Sequence, residues 1–146
     1  MEKGADVNAQ GEFYGNALQP ASSEKHQEIV KLLMEKGADV NAQGGFYGNV
    51  LQAASSKGHQ EIVKLLIEKG ADVNAQGGEY GNALHAASCH GHQEIVKLLI
   101  ENRADINAQG MFYINVLLVM VHNSYKIRRL LHCRGLDYPQ CNIPMF

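Results

Sequence analysis

No apolar run in the chain approaches the ~20 residues that a membrane-crossing helix needs. The first ten residues, Met1 to Gln10, hold no apolar stretch, so no secretion signal is expected there. Cysteine is scarce. Cys89, Cys133 and Cys141 are odd in number and irregular in spacing, a poor disulfide framework. Reduced thiols in an intracellular compartment are the expectation, the cytoplasm first and the nucleus left open. No Gly-x-x-x-x-Gly-Lys-Ser/Thr phosphate loop occurs, and no serine sits in a nucleophile elbow. A net charge of −2 gives no nucleic-acid footprint. What remains is a chain of 146 residues, 45% apolar and 19% charged, enough for one folded domain.

What is present is repetition. Gly4-Ala5-Asp6, Gly37-Ala38-Asp39, Gly70-Ala71-Asp72 and Arg103-Ala104-Asp105 recur every 33 residues. The stretches 10–42 and 43–75 differ at only six of 33 positions, and 43–75 differs from 76–108 at eight. Chance does not do this, so the repeat sets the architecture.

Each unit predicts two helices and a loop. In the middle one, Asn49 can cap a short helix through Val50-Leu51-Gln52-Ala53-Ala54. Ala53 and Ala54 let a neighbour come close. Gly58 offers the left-handed conformation that ends a helix. A second helix runs from Gln60 to about Lys69. Its apolar set Ile62, Val63, Leu65, Leu66 and Ile67 is too broad for one partner, as expected of a helix pressed by its own first helix and both neighbouring units. Gly70 stops it, and Ala71 to Gly81 reads as a hairpin-like loop.

The 33-residue period, Gly-His before the second helix and Glu-Ile-Val-Lys-Leu-Leu-Ile-Glu-Lys-Gly-Ala-Asp-Val-Asn-Ala resemble ankyrin repeats. That resemblance implies an all-α ankyrin-repeat solenoid, and a non-catalytic scaffold that binds another protein through its loop tips and concave groove. No cofactor, metal, nucleic acid or membrane is expected. The usual Thr-Pro-Leu-His opening of the first helix is replaced by Asn16-Ala17-Leu18-Gln19, Asn49-Val50-Leu51-Gln52 and Asn82-Ala83-Leu84-His85. Asn can take over the cap. The Gly-Gly-Phe-Tyr-Gly-Asn run resembles the arrays of large filamentous-fungal proteins, many of which carry a NACHT-type (STAND) switch domain.

The expected organisation is the end of a preceding repeat at 1–9, repeats at 10–42, 43–75 and 76–108, a degenerate terminal repeat at 109–137 and a disordered tail at 138–146. Residues 1–108 hold 9 Lys+Arg against 14 Asp+Glu, and 109–146 hold 4 against 1, which supports a boundary near 109. The segment 109–137 reads as a capping unit, with a decaying repeat as the alternative. The first unit is damaged. Pro20 stands where Ala53 and Ala86 stand, and Lys25 replaces the turn glycine Gly58. This end is expected to fray first, and the alternative function is a truncated or decaying fragment of a longer array with no activity of its own.

Candidate functional residues follow. His26, His59 and His92 recur at one position and read as turn-stabilising framework. Cys89, His90 and His92 are close in sequence, but zinc wants four ligands and the rest are not at partner spacing. Asp39, Asp72 and Asp105 start loops, where a short acid accepts backbone N–H bonds. Positions that differ between near-identical units are candidates for partner contact, with neutral drift as the alternative: Glu12/Gly45/Gly78, Phe13/Phe46/Glu79 and Gln19/Gln52/His85 on loop tips and groove wall, then Ser23/Ser56/Cys89 and Glu24/Lys57/His90 near the first-helix end. Tyr14, Tyr47, Tyr80 and Tyr113 recur before the first helix and predict an aligned ladder, either an interface or a loop stiffener. The partner-contact set is therefore Glu12, Phe13, Tyr14, Gln19, Phe46, Tyr47, Gln52, Glu79, Tyr80 and His85. Lys126, Arg128, Arg129 and Arg134 read as a solvated basic face.

Overall fold

The structure, a computed structural model, describes residues 4–108. The capping unit at 109–137, its basic patch, Tyr113, Cys133, Cys141 and the tail at 138–146 lie outside the described residues. Six helices follow one another as three pairs: α1 (Leu18–Ser23) with α2 (Gln27–Glu35), α3 (Val50–Lys57) with α4 (Gln60–Glu68), and α5 (Ala83–Cys89) with α6 (Gln93–Glu101). No strand occurs among the described residues. Each loop is pinched by one isolated backbone bridge, Gly11–Gly15, Gly44–Gly48 or Gly77–Gly81.

The second helices start and stop where the sequence places them. Helix α4 ends in a pair of reversed bonds, Ala71 N–H to Leu66 O at 2.9 Å and Gly70 N–H to Ile67 O at 3.0 Å. That is the Schellman closure, and it needs a left-handed residue at position 70. Ile62, Val63 and Leu66 are buried, with Leu65 and Ile67 packed at the margin. The first helices stack α1 on α3 on α5. Ala53, Ala54, Ala86 and Ala87 are fully buried between them, as small residues in a close layer must be.

Helix α1 departs from its siblings. In α3 the Asn49 side chain accepts from Gln52 N–H, and in α5 Asn82 accepts from His85 N–H. The matching Asn16 does not cap, contrary to expectation. Ala53 N–H and Ala86 N–H open the helical bonding by donating to Asn49 O and Asn82 O. Pro20 has no N–H to give there. Gln19 N–H takes the Asn16 carbonyl instead, at 3.2 Å, and Asn16 Oδ1 is left buried and unpaired. The helix starts later, at Leu18. Lys25 does take up the left-handed turn, with φ 65°.

The outer face of α2 is bare. Ile29 is 48% and Leu32 52% exposed, whereas the isoleucines matching Ile29, Ile62 and Ile95, are 1% and 2% exposed. Covering one isoleucine contributes roughly 2 kcal/mol, which each inner junction gains and α2 does not.

Candidate functional site

Two networks join the units and fix where the loops stand. The first is an asparagine ladder. Asn8 Nδ2 donates to Gly37 O at 3.1 Å, and Asn8 Oδ1 accepts from Asp39 N–H at 2.7 Å. Asn41 does the same to Gly70 and Asp72, and Asn74 to Arg103 and Asp105. The aspartates turn the loop as expected, Asp39 Oδ1 accepting from Asn41 N–H at 2.8 Å. The asparagines are absent from the sequence-based candidates, although their recurrence at 33-residue spacing was the available signal. The second network is the histidines. His59 Nε2 donates to Ser23 O at 2.8 Å, and His92 Nε2 to Ser56 O at 3.0 Å. They tie one unit to the end of the preceding first helix, beyond the turn role predicted for them. His26 meets no such carbonyl among the described residues.

The loop tips are joined by backbone. Phe46 N–H donates to Phe13 O at 2.7 Å, and Glu79 N–H to Phe46 O at 2.9 Å. This close approach explains the variable position Glu12/Gly45/Gly78. Gly45 has φ 69° and Gly78 φ 62°. A Cβ on Gly45 would stand 2.8 Å from Phe13 O, and one on Gly78 would overlap Tyr47 C. Inner loops therefore require glycine there. The first loop has no described loop before it, and Glu12 fits. Packing against the preceding loop accounts for the glycines at 45 and 78.

Rings line the joined tips. Phe13 stacks on Phe46 with centroids 5.5 Å apart, and Phe46 meets Tyr80 edge-on at 6.5 Å. Tyr14 and Tyr47 stand edge-on to the phenylalanine of their own loop, at 5.0 and 5.2 Å. The ring chain between units therefore runs through the phenylalanines to Tyr80, which corrects the expected tyrosine ladder. Tyr80 continues to His90 at 5.3 Å, and His90 stacks on His92. Phe13 and Tyr14 are 58% and 59% exposed. Phe46, Glu12 and Glu79 are exposed, and Tyr47 and Tyr80 are half-buried. Burial, with Glu79 beside it, pushes the Tyr80 hydroxyl above its ordinary value.

The remaining three candidates do not face a partner. Gln19, Gln52 and His85 were expected on the groove wall, but all three are buried. Gln19 Nε2 holds Gly44 O at 3.0 Å, Gln52 Nε2 reaches Ala75 O at 3.4 Å, and His85 Nδ1 donates to Tyr80 O at 2.6 Å. They face inward because a loop backbone crosses above them and presents carbonyls that need donors. Their role is to hold the loops.

The nearest thing to a nucleophile and base is Cys89 Sγ, 3.5 Å from His85 Nε2. With its Nδ1–H spent on a carbonyl, the imidazole accepts from the thiol. Burial pushes the Cys89 thiol up, the reverse of an activated cysteine. Among the described residues no group of three or more His, Cys, Asp or Glu side chains could hold a metal, and no helix is long and apolar enough to cross a membrane.

A family model for ankyrin repeats, in three copies, matches residues 21–110. The chain belongs to the ankyrin-repeat family. No curated protein sequence matches it. Ankyrin repeats are generally protein-interaction modules and not enzymes. In this ankyrin stack the paired helices are the frame, and among the described residues the joined loop tips display the exposed rings Phe13, Tyr14 and Phe46.

Proposed function

We propose that the chain is a non-catalytic scaffold that binds a partner protein along its loop tips. The binding strip comprises Glu12, Phe13, Tyr14, Phe46, Tyr47, Glu79 and Tyr80. One observation carries this reading: large aromatic rings stand exposed on loops that hydrogen bonds hold rigid from unit to unit. Exposed aromatics on a preorganised frame are efficient contact groups, because little entropy is lost when they are covered. Burial raises the Cys89 thiol, the reverse of an activated cysteine, which supports a role without catalysis. An unpaired thiol at Cys89 suits an intracellular setting. The loop sequence, with its resemblance to fungal arrays, points to a sensor or scaffold.

The test is affinity capture from a lysate on the full chain and on a Phe13→Ala/Phe46→Ala variant. Proteins retained by the first and lost on the second support the reading. An unchanged set of retained proteins places binding elsewhere. The bare face of α2 favours a second reading, in which the chain is active only when that face is covered. A monodisperse, cooperatively melting chain argues against it.

A further inference from the structure

The front of the strip differs from its interior. Inside the stack, the face of Phe46 is covered by Phe13. Phe13 is nonetheless 58% exposed, and Tyr14, 59% exposed, stands perpendicular to it at an interplanar angle of 84°. Glu12 stands beside it where both inner loops carry glycine.

Its charge narrows the choice. The segments 10–16, 43–49 and 76–82 hold no lysine or arginine, and they hold Glu12 and Glu79. Three of the cations lie on the second helices, where Lys31, Lys64 and Lys97 pair with Glu28, Glu61 and Glu94. An acidic partner would be repelled by Glu12 and Glu79. A purely apolar one would desolvate Glu12 without compensation. A cation over the Phe13 face gains from the ring quadrupole and from the carboxylate together. Ring spacing adds a register. The Phe46 and Tyr80 centroids, 6.5 Å apart, match the ~6.6 Å between alternate residues of an extended chain, and Phe13 and Phe46 stand closer, at 5.5 Å.

We propose that the partner presents an extended cationic segment to the loop tips, with an arginine or lysine seated against the exposed Phe13 ring beside Glu12. This rests on the loop-tip reading above and gives its partner a chemistry.

A random-peptide display library selected on the full chain, with counter-selection on Phe13→Ala, tests it. Clones that need Phe13 are expected to be enriched in arginine and lysine, most often at alternate positions. For a synthetic peptide of such a clone, Glu12→Gln is expected to weaken binding about two- to fivefold and Phe13→Ala about fivefold or more, with affinity falling as salt rises. Clones that need Phe13 but lack cationic enrichment overturn this inference and leave loop-tip binding standing. A selection with no clone sensitive to Phe13→Ala overturns both. Glu12→Gln alters an exposed carboxylate only, so the charge arm holds even if Phe13→Ala melts early.

Discussion

Replacing Pro20 by alanine is expected to stabilise the protein, through one identifiable repair. In α3 and α5 the alanine at this position donates the first helical bond to the carbonyl of the capping asparagine, at 3.1 and 3.0 Å. The asparagine side chain is then free to accept from the next donor, at 2.9 and 2.7 Å. Proline removes the first bond, and the second is lost with it. Restoring a helical hydrogen bond contributes ~1 kcal/mol. Restoring an asparagine cap contributes ~1 kcal/mol more. Against this, alanine frees the unfolded chain and costs ~0.4–1 kcal/mol. The net gain is about 1–2 kcal/mol. With an m-value of ~1.5 kcal/mol per molar, the urea midpoint followed by far-ultraviolet circular dichroism should rise by about 1 M.

A double-mutant cycle makes the mechanism testable. With Pro20 in place, Asn16→Ala should be near neutral, since the Asn16 side chain caps nothing and its Oδ1 is unpaired. In the Pro20→Ala background, the same change should cost ~1 kcal/mol. An unchanged or lowered midpoint for Pro20→Ala refutes the account. So does an Asn16→Ala cost that is the same in both backgrounds.

Other outcomes follow from the same frame. His59→Ala and His92→Ala should each cost about 1–2 kcal/mol in urea melts, and His26→Ala close to nothing, because only the first two reach a carbonyl of the preceding unit. Gly78→Ala should destabilise by more than about 2 kcal/mol, through its φ of 62° and overlap with Tyr47 C, while Glu12→Ala should leave the melting temperature unchanged. Amide hydrogen exchange should be fastest in α1 among the first helices, and Pro20→Ala should slow it. In a Cys133→Ser/Cys141→Ser background, alkylation of Cys89 should gain speed only above the pH at which a free cysteine does. Burial raises the folded thiol, so the protonated form persists through the ordinary range and the shift should vanish in urea.

Helix pairing was legible because each pair is encoded locally. Asn49, Gly58, Gly70 and the Ile62–Ile67 stripe mark starts, stops and faces within one unit, and the structure uses each of them so. The candidate site was legible only in part. Phe13, Tyr14 and Glu12 are exposed, and nothing in one unit hides them. Gln19, Gln52 and His85 occupy first-helix positions that resemble groove positions in sequence. Whether they are covered depends on loop backbone laid over them, from the following loop for Gln19 and Gln52 and from its own loop for His85. The ring chain through Phe46 to Tyr80 is likewise a property of two neighbouring units. In sequence, differences between repeats suggest binding or drift. At Gly45 and Gly78 the glycine instead reflects the preceding loop's backbone packed against it.

The weak unit and the proposed cation corner are the same unit, and this couples stability to binding. In a stack where each unit touches only its neighbours, a weak unit can open by itself at a fraction of the total free energy. Glu12, Phe13 and Tyr14 stand on the loop that enters α1, the helix weakened by Pro20 and followed by the left-handed Lys25. A partner that needs this loop closed binds with an affinity reduced by the fraction of molecules in which it is closed. Where that fraction is near one half, Pro20→Ala should tighten binding by up to about twofold. Where the unit is already closed, the substitution should raise the urea midpoint and leave affinity untouched. Ligand, in turn, should slow amide exchange in α1 more than in α5, since only α1 has the stability to gain. Equal slowing in both helices would show that the corner is not where the partner's free energy is spent.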